Sequence, residues 1–137
     1  MVRLTLLSLV AVLALPAAAQ AGCYAVPAHT PTLVTREVIY ADPGYRCTTH
    51  NAAVYEIRSY IQTLSATGQW HIDTGAVRHQ LPLHPRNGSH RRYRDYWSCL
   101  QISFGSQHWR VKTVLYDAIT DRASIRYSPA SVVASGC

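Results

Sequence analysis

Carboxylates are scarce in this chain. Glu37 and Glu56 are its only glutamates, and 7 Asp and Glu stand against 13 Lys and Arg. Beyond Glu56 the acids are Asp73, Asp95, Asp117 and Asp121, which leaves few partners for general acid–base chemistry. Lysine is rarer still: past Arg3, Lys112 is the one lysine among 12 cations, so the charge is carried by arginine. No C-x-x-C pair occurs among the four cysteines, which argues against a zinc site, and no metal or cofactor is expected. After residue 15 no long apolar run follows, so no membrane anchor is expected. There are no internal repeats and no low-complexity tracts, which excludes a solenoid.

What is present begins with an export signal. Arg3 supplies a positive start, Leu4 to Leu15 is an apolar run too short to span a bilayer, and Ala19-Gln20-Ala21 is an A-x-A cleavage site. Residues 1–21 are therefore expected to be a signal peptide. Gln20, three positions ahead of Cys23, is not the apolar residue that a lipidated cysteine needs. Without Arg3 the exported part has 12 Lys and Arg against 7 Asp and Glu, near +5. It is long enough for one domain with a modest core and is expected to be a monomer. Cys23, Cys47, Cys99 and Cys137 all lie past the cleavage site, so two disulfides are expected in an oxidising compartment, with three pairings open.

Residues 22–35 hold two prolines and read as an extended arm ahead of a domain over residues 36–137. Residues 36–40 and 45–47, joined through Asp42-Pro43-Gly44, predict a β-hairpin. Val54, Ile57, Ile61 and Leu64 fall at i, i+3, i+7 and i+10, which predicts a helix capped by Thr49 or Asn51 and stopped at Gly68. A strand or arm is predicted over residues 76–83, and strands over 96–104, 109–116 and 123–127. The expected fold class is α+β: an N-terminal hairpin, then one helix packed on a three- to five-stranded antiparallel sheet.

Charge and aromatic rings concentrate between Arg78 and Trp97. Arg78, His79, His84, Arg86, His90, Arg91, Arg92, Tyr93, Arg94, Tyr96 and Trp97 all lie there. Cations suit phosphates and flat rings suit bases, so this segment predicts binding of single-stranded RNA or another polyanion. A GC-rich genome would produce the same preference for arginine, and a protein partner remains the other reading. Asn87-Gly88-Ser89 is an N-x-S sequon, which makes Asn87 a candidate glycan acceptor on a surface turn.

The order of hairpin, Tyr45-Arg46-Cys47, helix, strands and the terminal Cys137 resembles the fungal guanyl-preferring ribonucleases. It resembles more closely the ribonuclease-like secreted effectors of plant-pathogenic fungi known as RALPH proteins, which carry a Y-x-C motif and a closing cysteine. The resemblance implies the pairings Cys47–Cys137 and Cys23–Cys99. In the active ribonucleases a proline-histidine segment supplies one catalytic histidine, and Pro82-Leu83-His84 is the nearest match. Ser98 stands where a glutamate is needed, and Ile125-Arg126-Tyr127 where the last histidine is needed; Arg110 or Lys112 is placed to meet the phosphate. The resemblance therefore implies a secreted fungal virulence effector without catalytic residues, which binds host RNA or a host protein and is either apoplastic or translocated into host cells. Its binding residues would be Arg78, His84, Arg86, Arg91, Arg92, Tyr93, Arg94, Trp97 and Arg110. The alternative is an active ribonuclease or ribotoxin-like enzyme that pairs His84 with another acid such as Asp95.

Overall fold

The segment expected to be helical is the longest strand of the molecule. In the computed structural model, which describes residues 22–48, 54–81, 88–102, 108–117 and 122–132, strand β5 spans Val54–Leu64. Ile57, Ser59, Ile61 and Thr63 are at most 3% exposed, and they follow one another at every second residue. Ile57 and Ile61 are four apart, a spacing that serves a helix and a strand equally; the intervening Ser59 and the following Thr63 complete a period of two. Isoleucine, threonine and tyrosine are stiff or bulky at the β-carbon and favour the extended chain. Gly68 does not stop a helix. It takes a left-handed φ of 80° in the loop between β5 and β6 (Trp70–Ile72), where its N–H donates to the Ser65 carbonyl at 3.0 Å. Among the described residues the one helical piece is a 3-10 turn at Cys99–Gln101, so the expected α+β fold is corrected to an all-β one. None of their helices is long and apolar enough to cross a membrane.

One layer of the molecule is an antiparallel sheet of six strands. β5 pairs along its length with β10 (His108–Asp117), and β10 pairs with β11 (Arg122–Tyr127) and β12 (Ser131–Val132). On its other edge β5 pairs with β6 and with β7 (Val77–Gln80). In β10, Trp109, Val111, Thr113 and Leu115 are at most 1% exposed and point inward, so Arg110, Lys112, Val114 and Tyr116 take the other face, where Val114 is covered as well, at 3%.

The second layer is a three-stranded sheet broken across its middle. Its lower half orders β1 (Cys23–Val26), β4 (Gly44–Cys47) and β8 (His90–Arg92), and its upper half orders β2 (Thr32–Thr35), β3 (Val38–Ala41) and β9 (Asp95–Ser98). Because β1 runs on to β2, β3 to β4 and β8 to β9, the same three passes of chain make both halves. Pro27, Pro31 and Pro43 lie in the breaks, where a residue without an N–H cannot continue the ladder. Residues 22–35, read from the sequence as an arm, are thus the first of these passes.

The expected hairpin is corrected here too. β3 and β4 follow one another but do not pair; β3 pairs with β2 and β9, and β4 with β1 and β8. A tight two-residue hairpin needs a positive φ at its turn. Among the described glycines only Gly22, Gly68 and Gly88 have one, so Gly44 continues the strand instead of reversing it. The strand predicted over residues 96–104 also ends early. The Ser98 hydroxyl accepts the Leu100 N–H at 3.2 Å and opens the 3-10 turn, leaving Leu100 89% exposed.

The layers meet through two apolar clusters. Ile39, Ala41 and Trp97 of the upper half pack on Ile61, Trp109 and Val111, while Ala25, Tyr45 and Cys47 of the lower half pack on Ile57 and Leu115. Each large aliphatic side chain buried in this way contributes about 1.5–3 kcal/mol. Between the clusters lies a polar stitch. Asp95, 1% exposed, accepts from the Ser59 hydroxyl on β5 and contacts His79 Nε2 on β7 at 2.5 Å.

The disulfide map differs from the one the resemblance implies. Cys23 and Cys47 face each other across β1 and β4 with their Cα atoms 4.0 Å apart, and they are bonded. Cys99 is also disulfide-bonded, to a partner outside the described residues. The register of β1 on β4 therefore replaces both Cys23–Cys99 and Cys47–Cys137.

Candidate functional site

The β4–β8 side of the lower half-sheet carries an arginine-lined cleft, to which Arg46 and Arg92 come from the outer face and Arg91 from the face of buried Tyr45. Along β4 and β8 the register sets Arg46 opposite His90, Tyr45 opposite Arg91, and Gly44 opposite Arg92. Gly44 offers no side chain, and the bare backbone there lets β8 come close: a Cβ at this position would stand 2.6 Å from the Arg91 carbonyl oxygen. The resulting open cleft has a volume of about 280 Å³ and is lined by Val26, Tyr45, Arg46, His90, Arg91 and Arg92. Among the described residues no carboxylate lines it.

The four cationic or ionisable groups of this cleft are held differently. Arg92 is tied to the break in the sheet: its guanidinium donates to the carbonyls of Pro27 at 3.2 Å and Asp42 at 2.9 Å, and lies 3.4 Å from the Asp42 carboxylate. Asp42 also accepts the His29 N–H at 2.8 Å. Arg92 thus braces carbonyls that the proline breaks leave without ladder partners. Arg91 lies over the Tyr93 ring at 5.1 Å. Tyr93 in turn stacks on His79 at 4.0 Å and on Tyr45 at 6.4 Å, and burial pushes its phenol above the usual range. Arg46 and Arg91 have no acidic partner among the described residues. Because β8 is an edge strand, its exposed His90-Arg91-Arg92 also discourages edge-to-edge pairing with another chain.

The outer face of the six-stranded sheet has a different character, with its arginines lying flat against rings and acceptors. Arg110 sits between Trp70, at 4.2 Å, and Tyr127, at 4.1 Å, and donates to Gln62 Oε1 at 2.8 Å. Burial lowers its pKa from the ordinary arginine value. Arg58 lies over Tyr116 at 4.4 Å and bonds both carboxylate oxygens of Glu56, which holds the Glu56 carboxyl below the usual range. Arg78 approaches Glu56 to 3.8 Å.

The residues singled out in the sequence thus fall in three places. Arg91 and Arg92 line the cleft, Arg78 and Arg110 lie on the outer face of the six-stranded sheet, and Tyr93 and Trp97 turn toward the interior. Trp97, 3% exposed, packs with Trp109 in the core and offers no face to a ligand. Arg94 is exposed at the break between β8 and β9. His84, Arg86 and Asn87 lie outside the described residues. Sequence reasoning missed Arg46, which alternates with buried Tyr45 and Cys47 and could have been found by that alternation. It also missed Trp70 and Tyr127, which only strand pairing brings to Arg110. Asp95, the acid named for an enzymatic reading, is enclosed between the layers with Ser59 and His79. Among the described residues no three His, Cys, Asp or Glu side chains form a metal-binding group.

No family model and no curated protein matches the chain. Among solved structures it is similar to part of a β-glucosidase from Kluyveromyces marxianus in complex with glucose, with a TM-score of 0.48 and 12% identity. The match covers 84% of this chain and 14% of that one.

Proposed function

We propose that this chain is a secreted binding domain that holds RNA by its phosphates and does not cut it. The observation that carries the reading is the cleft bounded by Arg46, His90, Arg91 and Arg92 with no carboxylate in its lining. Guanidinium groups pair with phosphate in a planar, bidentate way, and a shallow open cleft admits a chain as well as a small anion. The break in the sheet fixes Arg92, so part of the cationic lining is ordered before a ligand arrives.

The non-hydrolytic part of the proposal rests on the same lining. Cleavage needs an acid and a base beside one phosphate, and the cleft offers His90 alone. The His79–Asp95 pair lies between the layers and does not line the cleft; Tyr93, stacked on His79, separates it from Arg91. Without the helix the chain does not have the ribonuclease-like fold, and export, binding and an effector role do not depend on it. Export is supported by the signal sequence and by the Cys23–Cys47 bond.

The test is to incubate the purified chain with end-labelled single-stranded RNA at low salt. A retained complex with intact RNA is the expected result. Accumulating fragments would return the chain to the enzymes, and an absence of any complex would turn the search toward a protein partner.

A further inference from the structure

We infer that the outer face of the six-stranded sheet is a second nucleic-acid surface, on which unpaired bases stack against Trp70 and Tyr127. It deepens the RNA reading by making the ligand single-stranded, and rests on that reading only for the ligand's identity. The inner faces of the two layers pack on each other, so this face lies on the far side of the six-stranded sheet from the lower half-sheet that carries the arginine cleft.

The rings are held in place for stacking. A single guanidinium, Arg110, lies over both, and Gln62 fixes that guanidinium in turn. Trp70 and Tyr127 stand on strands β6 and β11, so their rotamer freedom is lost on folding and not on binding. Tyr127 is 44% exposed and Trp70 partly so; the neighbouring Ile72 and Ile125 are 48% and 38% exposed. A base can stack on the ring surface that Arg110 leaves open, and a π-face accepts any base. Aromatic faces also stack on sugars, and charge decides between the two. Arg58, Arg78, Arg110 and Lys112 share this face with one described carboxylate, Glu56. A neutral saccharide has no use for that excess, whereas a phosphate backbone does.

Trp97 and Trp109 are buried, which leaves Trp70 as the tryptophan a ligand can reach. The purified chain is titrated with short oligouridylate, with an abasic sugar-phosphate oligomer of equal length, and with a neutral oligoglucoside, while tryptophan emission and affinity are followed. Oligouridylate is expected to quench emission and to bind about tenfold more tightly than the abasic oligomer. In Trp70→Ala/Tyr127→Ala that preference disappears while abasic affinity holds, because the cleft is untouched. Should the double variant fail to fold, Tyr127→Ala alone, with Arg110 still held by Trp70 and Gln62, must show a reduced preference. Equal binding of both oligomers without quenching overturns the platform and leaves the cleft reading standing. Stronger quenching by the oligoglucoside assigns the face to sugars and overturns the inference, and no binding of either anionic oligomer overturns both readings.

Discussion

The outer face of the six-stranded sheet and the cleft of the broken layer use arginine in different ways. On the six-stranded sheet, Arg58 is bound to Glu56 and Tyr116, and Arg110 is enclosed by Trp70, Tyr127 and Gln62. On the broken layer, Arg46 and Arg91 line a cleft without an acidic partner among the described residues, and only Arg92 is tied to the fold. On the first face rings and acceptors hold the cations; in the cleft carbonyls hold Arg92, Arg91 lies over Tyr93, and Arg46 has no acidic partner among the described residues. Net charge alone would have made the two faces equivalent. What separates them is the supply of acceptors: Glu56 and Gln62 stand beside the arginines of the first face, whereas in the cleft Asp42 reaches Arg92, and Arg46 and Arg91 have no acidic partner among the described residues.

The contrast depends on the layers staying in register, and the strongest way to break it is at the stitch between them. Asp95→Ala removes the carboxylate that joins Ser59 to His79 and should lower stability by about 3–5 kcal/mol, measured by urea unfolding. A loss below about 1 kcal/mol would mean that the apolar clusters hold the layers unaided. Next in size is the disulfide. Cys23→Ala/Cys47→Ala should cost about 3–4 kcal/mol for a loop spanning a sequence separation of 24, and unreduced peptide mapping should recover the Cys23–Cys47 pair. Gly44→Ala sharpens the contrast on the cleft side only. Its Cβ would force β8 away, costing about 1–3 kcal/mol and weakening RNA binding, with Trp70 emission unchanged.

The smallest effect probes the other face. Glu56→Gln should cost about 1 kcal/mol near neutral pH, because the ion pair with Arg58 is lost while a hydrogen bond can persist. Glu56 is depressed in the folded state, chiefly by its hydrogen bonds from Arg58, so its contribution is complete above the unfolded value of about 4.3. It fades as pH falls through the lower folded value. The stability gap between wild type and Glu56→Gln should accordingly close on acidification, and a gap that widened would contradict the pairing.

Sequence reading reached some of this and missed the rest for identifiable reasons. β7, β10 and β11 were legible because their residues are β-rich and bounded by turn chemistry. β5 was misread because Ile57 and Ile61 satisfy two periods at once, and the tie is broken by burial of Ser59 and Thr63, polar residues that carry no hydrophobic signal. The hairpin was misread because Asp42-Pro43-Gly44 has the composition of a turn, yet the chain uses it to pass from one half-sheet to the other. In the candidate site, Arg91 and Arg92 could be found from local charge density. Arg46 and the Trp70–Arg110–Tyr127 stack depend on which strands lie side by side, and pairing across tens of residues leaves no local mark.

The central claim is that the cleft arginines hold phosphate, and the salt dependence of RNA affinity tests it most directly. For wild type the logarithm of the binding constant should fall linearly with the logarithm of salt concentration. Arg46→Ala/Arg91→Ala should flatten that slope by about 1.4, the loss of two phosphate contacts to a single strand. An unchanged slope and affinity in the double variant would contradict the account.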